Sequence, residues 1–200
     1  MGATTWSAVD EGFLRAYQWA GSLAAGAPLP SDAPPIALGP GEVAHLHLAP
    51  VGLAGHFGES GEYNRSFFLF GGPVGLALTG AASLAHNASK KAEAERAAIA
   101  RWHDLGTTDV VMTNQRLALT SGQQVQSLLY AQTGPMQWAN DPGVPAVLVQ
   151  GAGTPPLRLR SPYAARLYVF VHHLLDGRPP EIPLPQGLLD RARAEGRLSF

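Results

Sequence analysis

Three histidines have the residue type and spacing that metal sites use. His45 and His47 are separated by one residue, so on a strand both imidazoles face the same side. A zinc site needs at least a third protein ligand, and His56, which we predict on the following strand, could supply it. Because two histidines on a half-exposed strand are equally typical of an ordinary surface, we predict no metal and no other cofactor. A metal-binding protein centred on these three histidines is kept as the second alternative function.

Other patterns that carry chemistry are missing from the sequence. His172 and His173 are adjacent, and neighbours on a helix point about 100° apart, so one ion would not suit both. There is no nucleophile elbow, phosphate-binding loop, dinucleotide fingerprint or helical His-Glu-x-x-His motif. Without cysteine the chain has no thiol nucleophile, zinc–thiolate site or disulfide. A Ser-His-Asp triad that is assembled only by folding leaves no local motif. No feature of the sequence points to particular residues for such a triad. We therefore predict a protein that is not an enzyme.

The charge balance excludes some partners. The 200 residues include 14 Lys and Arg against 15 Asp and Glu, for a formal net charge of −1. Nucleic-acid binding needs a concentrated basic surface, and a strongly anionic membrane selects for basic clusters, so neither is expected as the main partner. Residues 1–6 lack the basic region of a secretory signal and lead into Asp10 and Glu11. By default we expect a cytoplasmic protein.

The stretch from Ser66 to Ser89 contains no charged residue. It is long enough to cross about 30 Å of hydrocarbon if it is helical throughout. A Gly-Gly-Pro sequence at 71–73 interrupts it, which leaves only a short, moderately apolar helix at 73–85. A charged amphipathic helix at 90–102 follows, so we predict a helical insertion over 72–102. Its apolar face is expected to be buried, to meet a partner or a second copy, or to enter a membrane.

Helix signals mark both ends of the chain. Ser7 is a suitable N-cap for a helix from 7 to about 24, and the Pro-rich residues 26–40 read as a linker. We place a domain boundary there, with residues 1–34 as an N-terminal unit. A second helix is predicted from Ser161, as the cap, to Gly177, as the stop. Residues 178–200 form a Pro-rich tail with a short helix.

Between these helices the apolar pattern changes to the period of two that predicts strands. The clearest pair is a hairpin, 109–113 with 116–120, joined by Asn114-Gln115. Two short strands separated by a turn at 50–52 are expected over 43–57. The other predicted strands are 65–70, 125–130, 136–138, 144–150 and 157–160.

The order of these elements resembles the pleckstrin-homology-like (PH-like) superfold of bacterial PH-like and GRAM-like domains. The residues that carry the resemblance are Gly41-Glu42 before the first strand, then the sequence DVVMTNQRLAL at 109–119, which is similar to a GRAM-type Thr-x-x-Arg-Leu signature. Residues 156–159 and the helix 161–177 complete it, and it covers about 35–177.

The resemblance implies an α+β fold, a PH-like β-barrel of about seven antiparallel strands capped by a C-terminal helix. The N-terminal helix and the helical insertion are additions to it. Phosphoinositide-binding members use basic residues in the first loop between strands, and 49–55 contains no Lys or Arg. A multiply charged headgroup would find no charge-assisted donors there, so lipid binding is not carried over.

We therefore expect a non-catalytic interaction module that binds a protein partner, or itself, through apolar helical faces. Aromatic anchors dominate such contacts. The expected contact residues are Trp19, Leu76, Leu84, Trp102 and Phe170. The first alternative is a peripheral membrane or lipid-binding domain using residues 67–85. Cell fractionation would separate these two functions, and elemental analysis would test the metal alternative.

Overall fold

The computed structural model describes residues 5–58, 100–122, 124–141, 143–151 and 155–198. This part of the chain is α+β, with one antiparallel sheet of seven strands and three α-helices. In chain order the elements are α1 (Ala8–Ala24), β1 (Ala44–Phe57), β2 (Arg101–Thr113), β3 (Arg116–Ser121), β4 (Gln124–Leu129), a short 3₁₀ helix (Tyr130–Gln132), β5 (Gln137–Asp141), β6 (Val144–Val149), β7 (Leu157–Arg160), α2 (Ala164–Asp176) and α3 (Leu188–Ala194).

The strand order in the sheet is β4-β3-β2-β1-β7-β6-β5. The first strand therefore lies in the middle and pairs with both the second and the last. The prediction of two short strands over 43–57 is wrong, because β1 runs unbroken from Ala44 to Phe57. The register against β2 shifts between Leu48 and Val51. Such a bulge leaves a residue unpaired, so Pro50 fits there although it has no N–H to donate.

The hairpin predicted at 109–120 is confirmed, with Asp109 opposite Thr120 and Met112 opposite Leu117. The strands predicted from 125 to 160 are also present, as β4 to β7. The predicted strand 65–70 and the helix 73–85 lie outside the described residues. The helix predicted over 90–102 does not extend to its expected end, because Arg101 and Trp102 are the first residues of β2.

Helix α1 begins as its sequence predicts. The Ser7 Oγ accepts a hydrogen bond from the Asp10 N–H at 3.0 Å, and the Asp10 carboxylate accepts one from the Ser7 N–H at 3.3 Å. This capping box satisfies two N–H groups that a helix start leaves unpaired. Helix α2 ends at Gly177, whose φ of 71° is left-handed, as predicted. Its start at Ser161–Pro162 was predicted too early: the Ser161 Oγ accepts from the Tyr163 N–H at 3.2 Å in a turn that precedes the helix.

The main core lies between the sheet and the two long helices. Helix α2 contributes Leu167, Phe170 and Val171, and α1 contributes Phe13 and Leu23. The sheet contributes apolar residues from six strands: Leu46, Leu48, Val51, Leu53, Val110, Met112, Leu117, Leu119, Leu128, Val147, Val149, Leu157 and Leu159. The N-terminal helix therefore shares one core with the sheet.

The Pro-rich segment before β1 also contacts the sheet. Ile36 packs on a second, small cluster formed by Ala44, Val111 and Ala118. The Asp32 N–H donates to the Ala44 carbonyl at 2.8 Å. Residues of this segment thus cover apolar side chains of the sheet that the main core does not use.

Candidate functional site

A cleft of about 460 Å³ lies along α1, α2 and the segment after α3. We call it the arginine cleft. Its lining is Glu11, Leu14, Arg15, Gln18, Trp19 and Ser22 from α1, Arg166 from α2, and Arg197. The α1 positions recur at three- and four-residue intervals, so they share one face of that helix.

Helix α1 closely approaches the turn that precedes α2. A Cβ on Gly12 would lie 1.9 Å from the Pro162 carbonyl oxygen, so this position has room only for glycine. Further along, the Trp19 ring meets the Phe170 ring edge-on, with centroids 5.3 Å apart. Phe170 is 1% exposed, and its packing fixes the indole that forms an apolar wall of the cleft.

Three guanidinium groups meet in the arginine cleft, and each is neutralised to a different degree. Arg197 contacts the Glu11 carboxylate directly through Nη2. The Arg15 Nε is 4.0 Å from the same carboxylate, and the Arg15 side chain is 60% exposed. Arg166 has no ion-pair partner among the described residues; its guanidinium carbon is 5.9 Å from the Phe170 ring centroid.

Two of these arginines have buried N–H groups without an acceptor. They are the Arg166 Nε and the Arg197 Nη1. Burial, followed by repulsion from Arg15, lowers the pKa of Arg166 from its usual value. Buried donors are nearly always paired in folded proteins, and an exception calls for an explanation such as a bound ion or water. The cleft is therefore lined by two arginines whose hydrogen-bonding capacity the described residues do not fully use.

Two neutral side chains of the same lining are already hydrogen-bonded within the protein. The Gln18 side-chain amide donates to the Arg197 carbonyl at 2.9 Å. The Ser22 hydroxyl donates to the Gln18 carbonyl at 3.0 Å. The buried donors of this lining that lack an acceptor belong to charged guanidinium groups, and these favour an anion over a neutral polar molecule.

Of the five contact residues predicted from the sequence, the three that the structure describes lie in two separate places. Trp19 lines the arginine cleft, with Phe170 packed beneath it. Trp102 belongs to another group on β2, with the Arg158 guanidinium 4.0 Å from its ring centroid and the His56 ring at 5.0 Å. Leu76 and Leu84 lie outside the described residues.

The three histidines considered as metal ligands do not meet. His56 was expected on a second strand, but it lies on β1 with the other two, about 30 Å along the strand from His47 at roughly 3.3 Å per residue. The His45 Nδ1 is 2.7 Å from the Pro30 carbonyl, and the His47 Nε2 is 3.6 Å from Asp109. Within the described ranges, no three His, Asp or Glu side chains are grouped as a metal site would need.

Glu42 and Arg116, two of the residues that carry the PH-like and GRAM-like resemblance, form a structural contact. The Glu42 carboxylate accepts hydrogen bonds from the Arg116 Nε at 2.7 Å and Nη2 at 3.0 Å, and from the Gly39 N–H at 2.7 Å. The Arg116 hydrogen bond, against the opposing effect of burial, lowers the pKa of Glu42. The Thr113 Oγ1 accepts from the Arg116 N–H at 3.0 Å, and the Asn114 side chain accepts from the Val43 N–H at 2.9 Å.

Sequence reasoning did not single out Arg15, Arg166 or Arg197. One signal was available: Arg166 is the only Lys or Arg between Ala164 and Leu175, in a helix with a strongly apolar face. An isolated arginine there is ambiguous, because its stem can cover apolar surface while its head reaches water. Only the fold shows that its Nε is buried without an acceptor.

Comparisons of this chain with models of protein families, with curated proteins and with solved structures gave no match. No described helix combines the length and the hydropathy needed to span a membrane. A function must therefore be inferred from the chemistry of the arginine cleft.

Proposed function

We propose that this protein is a non-catalytic interaction module with a PH-like sheet, and that it binds a partner protein by holding an anionic side chain in the arginine cleft. One observation carries the proposal. Arg166 and Arg197 line the same cleft, and each has a buried side-chain nitrogen without an acceptor. An anionic group of a partner would satisfy donors that the described residues leave unpaired.

The strand order supports the PH-like part of the proposal. Each of the seven strands pairs with its neighbour in sequence, except β4 with β5, and β1 also pairs with β7. A meander whose first and last strands are neighbours is compatible with closure into a barrel. Helix α2 follows β7 and packs on the core side of the sheet. A fold does not define a function, so the cleft must support the binding role.

The composition of the cleft suits protein recognition. Binding energy at protein interfaces is concentrated in residues such as Trp and Arg, beside pockets from which water is excluded. Trp19 offers an apolar surface next to the arginines. The apolar faces of α1 and α2 are in the core, so we place recognition in the cleft between these helices.

The polar groups of the cleft favour binding over proton transfer. The Glu11 carboxylate is in contact with Arg197 and within 4.0 Å of Arg15. The Ser22 hydroxyl donates to a carbonyl of its own helix. A general base needs its carboxylate or imidazole free to reach a reacting proton, and Glu11 is held in ion pairs.

Selection from a random peptide library would test this function. We would use the whole chain, the variant Arg166→Gln, and Arg178→Gln as a control, because Arg178 is exposed and lies outside the cleft. Selected peptides should share an acidic residue next to an apolar one. They should bind the control like the wild type and bind Arg166→Gln at least tenfold more weakly, since a hydrogen bond to a charged group is worth about 1.5–3 kcal/mol.

Two results would contradict the proposal. One is a selection that yields no common motif although the protein is folded. The other is a set of peptides that binds Arg166→Gln as tightly as the wild type. In the second case the protein would still be a binding module, but its site would lie elsewhere.

A further inference from the structure

We propose that the anion held in the arginine cleft is a phosphate monoester on a side chain of the partner protein. This inference rests on the function proposed above and identifies the ligand of that site. It draws on the charge of the cleft, on the kind of donors left free, and on the surroundings of the cleft.

The charge of the lining matches a doubly charged group. Three guanidinium groups and one carboxylate line the cleft, so the lining itself carries two net positive charges. The Asp32 carboxylate, outside this lining, also acts on Arg166. A carboxylate ligand would offset one of the two positive charges of the lining. A phosphorylated side chain carries about −1.5 to −2 at pH 7 and would offset both.

The free donors also suit phosphate geometry. The Arg166 Nε and the Arg197 Nη1 are buried without acceptors, and the exposed Arg15 is only loosely associated with Glu11. A phosphate monoester offers three acceptor oxygens, which several guanidinium groups can bind at once, whereas a carboxylate offers two. Clusters of arginines are the usual means by which proteins recognise phosphorylated side chains.

The surroundings favour a phosphoprotein over a phosphorylated lipid. Binding to an anionic membrane surface needs several basic residues around the headgroup site. Here Glu11 lies in the cleft itself, and the chain as a whole has a net charge of −1. Trp19 provides an apolar contact for a residue next to the phosphorylated one.

The test compares three labelled peptide libraries that differ only at a central position, which is phosphoserine, serine or glutamate, with degenerate flanking residues. Binding to the whole chain is measured by fluorescence anisotropy. We expect the phosphoserine library to bind at least tenfold more tightly than the glutamate library, and the serine library not to bind. Arg166→Gln should reduce phosphoserine binding at least tenfold, and Arg178→Gln should leave it unchanged.

Titration of the ligand gives a second readout. The second pKa of a phosphate monoester is about 6, so binding of the phosphoserine library should weaken as the pH falls from 7 to about 5. Binding of a glutamate peptide should not change over that range. The cleft lining contains no histidine, so the titration is expected to arise from the ligand.

Each contrary outcome has one meaning. If the glutamate library binds as tightly as the phosphoserine library and both need Arg166, the phosphate inference is wrong and the proposed function stands. If no library binds, both are wrong. Tight Arg166-dependent binding to vesicles containing a phosphoinositide, with no binding of any peptide, would identify a membrane ligand and overturn both proposals. Binding of inorganic phosphate alone, without the phosphoserine library, would also overturn the inference.

Discussion

Arg116 on β3 and Arg166 on α2 are both largely shielded from water, yet they differ in their partners. Arg116 donates to both oxygens of Glu42, to the Ser127 hydroxyl at 2.6 Å and to the Ala37 carbonyl at 3.3 Å. Arg166 has an aromatic ring below it and no acceptor for its buried Nε. The first arrangement is satisfied within the fold, whereas the second leaves a buried donor unpaired, and this is the basis of the proposed binding site.

This difference shows that the residues of a recognisable motif need not be the residues of the proposed binding site. The Thr-x-x-Arg-Leu pattern that suggested a family resemblance is explained by hydrogen bonds within the protein, around Thr113 and Arg116. Burial also raises the pKa of Tyr130, so its hydroxyl stays protonated and donates to the Thr113 carbonyl at 3.1 Å. Arg166 and Arg197, whose unpaired donors support the proposed site, lie in another part of the molecule and belong to no motif.

The largest expected effect comes from breaking the satisfied pair. Glu42→Gln removes a carboxylate that is 2% exposed and leaves Arg116, 21% exposed, without its counter-charge. Losing one member of a buried ion pair costs about 3–5 kcal/mol. Because Arg116 is partly exposed, we expect the free energy of unfolding to fall by about 3 kcal/mol. Chemical denaturation at pH 7 would measure it.

The same variant has a pH signature. The folded pKa of Glu42 is below its ordinary value of 4.5. Its stabilising contribution is therefore fully present above about pH 4.5 and is lost as the pH falls through the folded pKa. The difference in unfolding free energy between the wild type and Glu42→Gln should therefore become smaller in that acid range. Glu181→Gln, at an exposed site in the tail, should stay within about 0.5 kcal/mol of the wild type. If this difference in unfolding free energy did not change with pH, the role assigned to the Glu42 carboxylate would be wrong.

A smaller loss of stability is expected from a substitution that pushes α1 away from α2. Gly12→Ala would place a Cβ 1.9 Å from the Pro162 carbonyl oxygen and 2.8 Å from its carbon. Because the obstacle is backbone, α1 must shift away from α2, at a cost of about 1–3 kcal/mol. Gly21→Ala in the same helix is the matched control, since a Cβ there meets nothing within 4 Å. It should stabilise the protein by about 0.5–1 kcal/mol.

Thermal or chemical unfolding of both glycine variants tests the contact. If Gly12→Ala is as stable as the wild type, the two helices are not held at the distance the structure shows. The cleft between them would then lack a fixed width.

Features determined by neighbours in sequence could be predicted. The capping box at Ser7, the stop at Gly177 and the hairpin at 109–120 each depend on residues a few positions apart, and all three are present. The continuous β1 was missed, because a proline and a glycine at 50–52 are typical of a turn. Only the register against β2 shows that they are accommodated in a bulge.

The arginine cleft could not be predicted for a related reason. Its arginines come from the first helix, the last long helix and the C-terminal segment, and each has an ordinary local interpretation. Arg15 four residues after Glu11 reads as a surface pair on a solvated helix. Whether a donor is buried and unpaired depends on the packing of all three segments, and no local pattern records it.

The smallest expected change in stability is a gain, whereas Glu42→Gln is expected to cause a loss. Arg166→Met keeps a stem that can pack against neighbouring apolar groups and removes a buried Nε without an acceptor. A buried donor left unpaired is itself destabilising, so we expect the variant to be more stable than the free wild type by about 1 kcal/mol. Arg193→Met, which loses an exposed ion pair with Asp190, should change stability by less than about 0.5 kcal/mol.

Arg166→Met should also lose binding of the phosphoserine library, because stability and function compete where a site holds a charge for its ligand. A destabilisation of more than about 1 kcal/mol would show that Arg166 resembles Arg116, a structural residue, and would remove the contrast on which the proposed site depends.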